Sequence, residues 1–357
     1  MPRRLARGDR GPHPTDVSNE DLKIAVVGAG SWGTAFATIP ARNGVDTIVW
    51  ARRQEVADAI SSRHECPDYL PGIELPSALR ATHDLEEALD RARIVVMAIP
   101  SHGFRDVLKE AAELVSSDAS MVSLTKGLEQ ETHKRMTQVM RQEIDLPPWG
   151  FATLTGPNLA KEIAAGQPAA AVIGCEDEDG AQAMQQAFIS DRFRVYTNQD
   201  VAGCELGGAI KNVIAIAAGI GDGMGFGDNS KAALITRGFA EMARLGVALG
   251  GKALTLAGLA GMGDLIATCT SPLSRNRHVG EELGRGRKLD EIIAEMNMVA
   301  EGVKTSRVVV ELADRVGVSM PIAEHVVKVV HEGMSPDEAL TSLMTREAEP
   351  EFHGLDE

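Results

Sequence analysis

Residues 22–51 read LKIAVVGAGSWGTAFATIPARNGVDTIVWA, and the fold of the chain follows from this stretch. Residues 22–27 (LKIAVV) are a short β-rich run. GAGSWGTA follows at once and opens a helical stretch to about residue 43, which Gly44 stops. Residues 46–51 (DTIVWA) are a second strand. Strand, glycine turn, helix and strand form the first half of a doubly wound sheet.

The glycine turn carries chemistry. Gly28-Ala29-Gly30-Ser31-Trp32-Gly33 fits GxGxxG, a pattern that is weak alone but specific between a strand and a helix. Gly28 permits the tight turn, Gly30 admits a pyrophosphate to the backbone, and Gly33 allows close helix packing. The helix N-terminus adds oriented N–H donors. Arg52 and Arg53 end the second strand, where a carboxylate would hold a ribose diol. A guanidinium fork suits a 2′-phosphate instead. The cofactor expected is NADP, with NAD possible. Glu55 lies slightly too late for the diol role and reads as a solvated helix residue.

Outward from this unit, residues 94–99 (IVVMAI) form a continuous apolar strand, as expected where both faces are buried. Further strands fit residues 119–124, 151–154, 169–173 and 193–196. Asp84 and Glu87 are spaced as a variant capping box for a helix over 84–91. Beyond about residue 200 the strand signal fades. Helices fit residues 201–220, 230–249, 274–283, 289–297, 305–316, 322–332 and 336–344. A loop with four glycines covers 221–227, and Ser335 with Glu338 forms a capping box for the last helix. The expected organisation is a disordered leader (1–20), a dinucleotide-binding domain (21–200), a helical substrate domain (201–345) and an acidic tail (346–357). The fold class is α/β: an N-terminal Rossmann-like doubly wound sheet with an all-helical C-terminal domain.

Composition narrows the function. The 357 residues suit two domains, and 44% hydrophobic with 24% charged content is ordinary for a globular chain. The net charge of -15 argues against a nucleic-acid or membrane-surface binder, while leaving room for a local basic phosphate pocket. Aromatic content of 4% argues against a base-stacking platform. Cys66, Cys175, Cys204 and Cys269 form no CxxC pair or zinc pattern and read as reduced cytoplasmic thiols. No apolar run reaches the roughly 18 residues of a membrane span. The basic leader lacks the apolar segment of a secretory signal.

Three polar residues stand out in apolar or glycine-rich settings. Lys126 follows a strand directly, at the carboxyl end that faces a ligand crevice. Lys211 shares a small or apolar helix face with Gly207, Ile214 and Ala218, where desolvation would lower its pKa toward that of a usable general base. Asn212 is beside it but on a different face. Gly261-Met262-Gly263-Asp264 is read as a glycine turn presenting a carboxylate. Ser274 can cap a helix whose first turn holds Arg275 and Asn276. A cation is slightly unfavourable there unless an anion binds.

GAGSWGTA, TKGLE (125–129), TGPNLAKE (155–162), GGAIKNVIAI (207–216), ALITRG (233–238), GMGDLIATCT (261–270) and SRNR (274–277) together resemble the soluble bacterial-type NAD(P)-dependent glycerol-3-phosphate dehydrogenases. The match runs in order from about residue 23 to about residue 343. It implies reversible reduction of dihydroxyacetone phosphate to sn-glycerol 3-phosphate for phospholipid synthesis, by a cytoplasmic homodimer with no metal. By this resemblance Lys211 is the proton donor and acceptor, and Lys126 and Asp264 complete the catalytic set. Gly156, Asn158, Ser274, Arg275 and Asn276 join them around the substrate. Many relatives have Ser or Thr at the position of Asn158. Gly28, Gly30, Ser31, Trp32, Gly33, Arg52, Arg53, Lys126, Ala160, Arg275, Val299 and Glu301 would contact the dinucleotide. The rival readings are another two-domain β-hydroxyacid or phosphogluconate-type dehydrogenase, and a non-catalytic dinucleotide sensor. The first would not be expected to pair GMGD with SRN, and the second has no need of Lys126, Lys211 and Asp264.

Overall fold

The computed structural model of the chain describes residues 22–296, 299–347 and 350–351. The leader (1–20) and most of the acidic tail lie outside the described residues. The strands are β1 (Lys23–Val27), β2 (Asp46–Trp50), β3 (Glu65–Cys66), β4 (Leu70–Glu74), β5 (Arg80–Thr82), β6 (Ile94–Met97), β7 (Ser120–Ser123), β8 (Phe151–Thr155), β9 (Ala169–Cys175) and β10 (Phe193–Asn198). Interleaved with them are α1 (Ser31–Arg42), α2 (Gln54–Asp58), α3 (Leu85–Leu89), α4 (Phe104–Ala111), α5 (Met136–Glu143), α6 (Ala160–Ala164) and α7 (Glu178–Phe188). Only helices follow among the described residues: α8 (Val201–Gly223), α9 (Asp228–Ala248), α10 (Ala253–Ala257), α11 (Asp264–Thr270), α12 (Arg275–Gly284), α13 (Leu289–Glu295), α14 (Glu301–Val316), α15 (Pro321–His331) and α16 (Pro336–Met344).

Eight strands form one sheet in the order β10-β9-β8-β7-β6-β1-β2-β5. The chain winds one way from β1 to β2 and β5, then crosses back to β6 and proceeds the other way. The switch point therefore lies between β1 and β6, where ligands of open α/β sheets bind. β1, β2, β6, β7 and β8 are buried along most of their length, because helices cover both faces. Two apolar cores result, one on each face, anchored by Phe36 and Phe188 on one side and Phe104 and Leu108 on the other.

Several local readings are corrected. The β3–β4 hairpin and β5 are too short and too polar to register as strands in the sequence. β9 runs antiparallel to β8, a reversal that no sequence signal announced. Asp84 does cap α3, accepting from Glu86 N and Glu87 N, but the reciprocal half of the box is absent. Glu87 instead accepts from Thr82 Oγ1 at 2.5 Å, and Asp84 N donates to that same hydroxyl at 3.1 Å. The four-glycine loop begins only at Met224, since Gly221 to Gly223 complete α8. GMGD is no open turn: Leu259–Gly263 form a π-helical turn that leads directly into α11. α14 starts at Glu301, earlier than its apolar periodicity suggests.

α8 is the axis of the helical unit. By length and composition it could cross a membrane, but 94% of its most apolar window is buried inside the protein. α12 lies on it with backbones in contact. A Cβ on Gly219 would stand 1.9 Å from Arg277 O, and one on Gly280 would stand 2.0 Å from Ile216 O. Gly223 and Gly284 repeat this contact one turn further along. Paired small-residue stripes thus bring the start of α12, with Ser274 to Asn276, against the α8 helix that carries Lys211.

Candidate active site

The crevice opens at the carboxyl ends of the central strands. Gly28 follows β1 with φ of 119°, a region that side chains rarely adopt. A Cβ on Gly33 would lie 2.0 Å from Gly28 O, so this contact admits only glycine. Gly30 has open space instead. It caps α1 without a side chain, and the first turn of α1 holds no acidic residue. The N–H groups of that turn are therefore free for an anion, whereas Asp84, Asp177, Asp200 and Ser274 cap their helices with side-chain oxygens. Trp32 Nε1 is buried with no partner, and Ala160 opens α6, which also lacks a side-chain cap. This cradle fits a dinucleotide pyrophosphate.

The two arginines differ. Arg53 pairs with Asp68 of the β3–β4 hairpin and lies 3.4 Å from Glu55 Oε1. Arg52 makes no hydrogen bond or ion pair with a described residue and is exposed. Glu55 is solvated on α2, as its position suggested.

The two lysines converge on one carboxylate. Lys126, just past β7, donates to Asp264 Oδ2 at 2.7 Å and to Gly156 O at 2.7 Å. Lys211 Nζ lies 3.1 Å from Asp264 Oδ1 and donates to Thr268 Oγ1 at 2.7 Å. Thr268 Oγ1 donates its own hydrogen bond to Asp264 O at 2.6 Å, leaving its lone pair for Lys211. Lys211 and Asp264 are both buried, 5% and 2% exposed. Burial pushes the Lys211 ammonium down to about 8; Asp264 opposes this and Lys126 adds to it. Burial would raise the Asp264 carboxyl, but Lys126 and Lys211 outweigh it and hold the group below its ordinary value. Two ammoniums, Lys211 buried and Lys126 partly exposed, face one carboxylate. At about 8, Lys211 stands close enough to neutral pH to hold or release a proton.

Arg275 reaches solvent at the crevice, and the surrounding protein desolvates it and lowers its pKa, with Glu301 opposing. It forms no hydrogen bond or ion pair with a described residue. Ser274 is occupied as the cap of α12, accepting from Arg277 N at 3.2 Å. Asn276 turns inward, donating to Asn212 Oδ1 at 2.8 Å and accepting from Gly302 N at 2.9 Å. Asn158 donates to Ala170 O at 3.0 Å, while its Oδ1 is buried with no partner. Glu301 crosses between the units and accepts from Ser101 N at 3.0 Å and Ser101 Oγ at 2.6 Å. Val299 precedes it, half-buried.

Two residues escaped the sequence reading. Asn212, placed on a different face from Lys211, donates to Lys126 O at 2.9 Å and so ties that lysine to α12 through Asn276. Thr268 lies one helical turn after Asp264, and that i, i+4 spacing was its only signal.

Family models for NAD-dependent glycerol-3-phosphate dehydrogenase match the chain in two parts, the N-terminal model over residues 23–181 and the C-terminal model over residues 200–341. The chain is 53% identical over 334 residues to a glycerol-3-phosphate dehydrogenase [NAD(P)+] of Thermobifida fusca, covering 93% of this chain and 99% of that protein. A protein of the same name from Streptomyces griseus is 54% identical over 330 residues, covering 92% and 98%. Among solved structures, a glycerol-3-phosphate dehydrogenase from Coxiella burnetii superposes with a TM-score of 0.87 at 36% identity, covering 91% and 99% of the two chains. A ketopantoate reductase from Ralstonia eutropha, at 17% identity and a TM-score of 0.58, shares the fold alone.

Proposed function

Because the chain belongs to the NAD-dependent glycerol-3-phosphate dehydrogenase family, we propose that its crevice reversibly reduces dihydroxyacetone phosphate to sn-glycerol 3-phosphate. It is an NAD(P)-dependent oxidoreductase acting on a CH–OH group. The observation that carries the site assignment is the Lys126–Asp264–Lys211 cluster, assembled from both units.

A dinucleotide held by the glycine turn would supply or accept the hydride at substrate C2. In reduction, the Lys211 ammonium gives its proton to the forming C2 alkoxide. In oxidation, neutral Lys211 takes the C2 hydroxyl proton as the hydride leaves. Lys126 polarises the C2 oxygen, and Asp264 fixes both amines by holding one with each oxygen. Arg275, which has no hydrogen-bond or ion-pair partner among the described residues, takes the substrate phosphate. Asn276 contributes mainly by holding Asn212 and Gly302. Gly156 and Asn158 wall the opposite side, with the orphaned Asn158 Oδ1 facing a ligand donor. Gly28, Gly30, Ser31, Trp32, Gly33 and Ala160 surround the pyrophosphate, and Lys126, Arg275, Val299 and Glu301 complete the dinucleotide site. Arg52 reads a 2′-phosphate, which favours NADP while NAD remains usable.

The domain division at about residue 200, a homodimeric assembly, a cytoplasmic location and a supply role in phospholipid synthesis belong to the same reading. The four buried free cysteines support a reducing compartment. Absorbance at 340 nm with dihydroxyacetone phosphate and NADPH or NADH tests the activity. Rapid oxidation of NADPH is expected. A folded protein that binds dinucleotide but oxidises neither overturns the reading.

A further inference from the structure

The segment that carries Lys126 leaves the sheet and reaches across to the helical unit. Leu128 is 1% exposed and buried in the helical core. The segment then doubles back, with Leu128 bridged to Arg135 and Glu129 N donating to Lys134 O at 3.0 Å. His133 Nε2 lies 2.9 Å from Glu311 Oε2 on α14, and Arg105 of α4 holds Glu129 from the sheet side at 2.7 Å. Both ends of this strap rest on α8. At the start, Asn212 donates to the Lys126 carbonyl. At the end, Glu205 accepts from Arg135 Nη1 at 2.5 Å, Thr137 N at 2.8 Å and Thr137 Oγ1 at 2.5 Å. The Glu205 side chain is 3% exposed.

Glu205 and Asn212 are seven residues apart on α8, two turns on one face. Gly208 lies between them, where a Cβ would stand 3.0 Å from Thr155 Oγ1 and 3.5 Å from Lys126 Cγ. That face is shaped to grip the strap, while Lys211 on the neighbouring face meets Asp264.

We propose that Glu205 is a positioning residue of the active site: by clamping Arg135 and Thr137 to α8, it holds the far end of the strap and so fixes Lys126 against Asp264. The coupling runs from Glu205 to Arg135, across the bridge to Leu128, and two residues back to Lys126. This inference rests on the functional reading above. A buried carboxylate accepting three hydrogen bonds is a stiff clamp, and small misplacements of reacting groups are costly.

The test is a double-mutant cycle in the full chain. E205Q keeps the shape and can still accept from Thr137 N, but its amide opposes the Arg135 guanidinium donor to donor. The expected result is a loss in kcat/KM for dihydroxyacetone phosphate on the order of tenfold. R135K, which keeps a cation at the clamp, should retain most activity and serves if E205Q folds poorly. In a K126M background E205Q should cost nothing further, because its effect passes through Lys126. The same loss repeated in that background, or an unchanged E205Q, overturns the proposal. Hydrogen exchange over residues 126–135 reads the strap without turnover: E205Q should exchange at least tenfold faster, and unchanged exchange overturns the clamp. A wild-type chain inert toward dihydroxyacetone phosphate would instead sink the functional reading, and exchange would still decide the clamp.

Discussion

Lys211 Nζ and Asp264 Oδ1 stand 3.1 Å apart with both side chains buried, an ion pair in which burial pushes the lysine down to about 8. In the proposed mechanism oxidation of glycerol 3-phosphate needs the neutral amine, so kcat should rise as pH passes about 8. Reduction of dihydroxyacetone phosphate needs the ammonium, so kcat should fall through the same pH. Lys211→Ala should lose on the order of 10²-fold or more in kcat. Residual activity that keeps the same inflection would assign the titration to another group.

The two arginines differ in their engagement: Arg53 is paired with Asp68 and Glu55, while Arg52 has no partner among the described residues. Arg52→Ala should weaken binding of 2′,5′-ADP by about tenfold, on the order of 1.4 kcal/mol. Binding of 5′-AMP should barely change. Arg53→Ala should have the smaller effect on 2′,5′-ADP. Equal losses, measured by calorimetry, would mean that Arg53 leaves Asp68 to share the phosphate.

Gly280→Ala would ordinarily stabilise a helix interior by about 1 kcal/mol. Here the new methyl would lie 2.0 Å from Ile216 O and 2.9 Å from Ile220 N, both backbone atoms of α8. Backbone cannot rotate aside as a side chain can, so α12 must move away. The expected loss is about 2–4 kcal/mol in denaturant unfolding. A raised KM for dihydroxyacetone phosphate should accompany it if Arg275, at the start of α12, takes the phosphate as proposed. A variant as stable as wild type would show that the helices do not touch this closely.

Glu241 is a buried carboxylate at the start of α15, accepting from Ile322 N at 2.7 Å and Ala323 N at 3.2 Å. Burial raises its pKa to about 7, against the pull of those N–H groups and Arg244. Between 4.5 and about 7 the native state therefore binds more protons than the unfolded chain. Its contribution to stability falls as pH rises through that window, by at most on the order of 3 kcal/mol. Glu241→Gln can still accept at the helix start but cannot titrate. Its unfolding free energy should vary less between pH 5 and pH 7 than that of wild type. An unchanged pH dependence would show that Glu241 is ionised throughout.

Sequence legibility followed the range of the interaction. The turn at Gly28–Gly33, the buried run of β6 and the Ser335–Glu338 box are caused by residues a few positions apart, and each stands where the sequence placed it. The Asp84–Glu87 box failed because Thr82 competes for both partners once β5 joins the sheet. Lys126, Lys211 and Asp264 could be singled out individually by their unusual surroundings. Thr268 and the role of Asn212 could not, since their partners belong to other elements.

The sequence by itself determined the local causes: where glycine permits a turn, where apolar residues recur with helical or strand period, and where a side chain caps a helix. It also determined the family, because seven motifs occur in order along one chain. Only the tertiary structure decided which groups meet. Lys126 and Asp264 are 138 residues apart, Ser101 and Glu301 are 200 apart, and Glu205 reaches back 70 residues to Arg135. Such pairs depend on how the sheet and helices pack as whole bodies. The chemistry of each residue was therefore visible in the chain, but the burial that lowers the Lys211 pKa, and the carboxylate that faces it, exist only where two units close around Asp264.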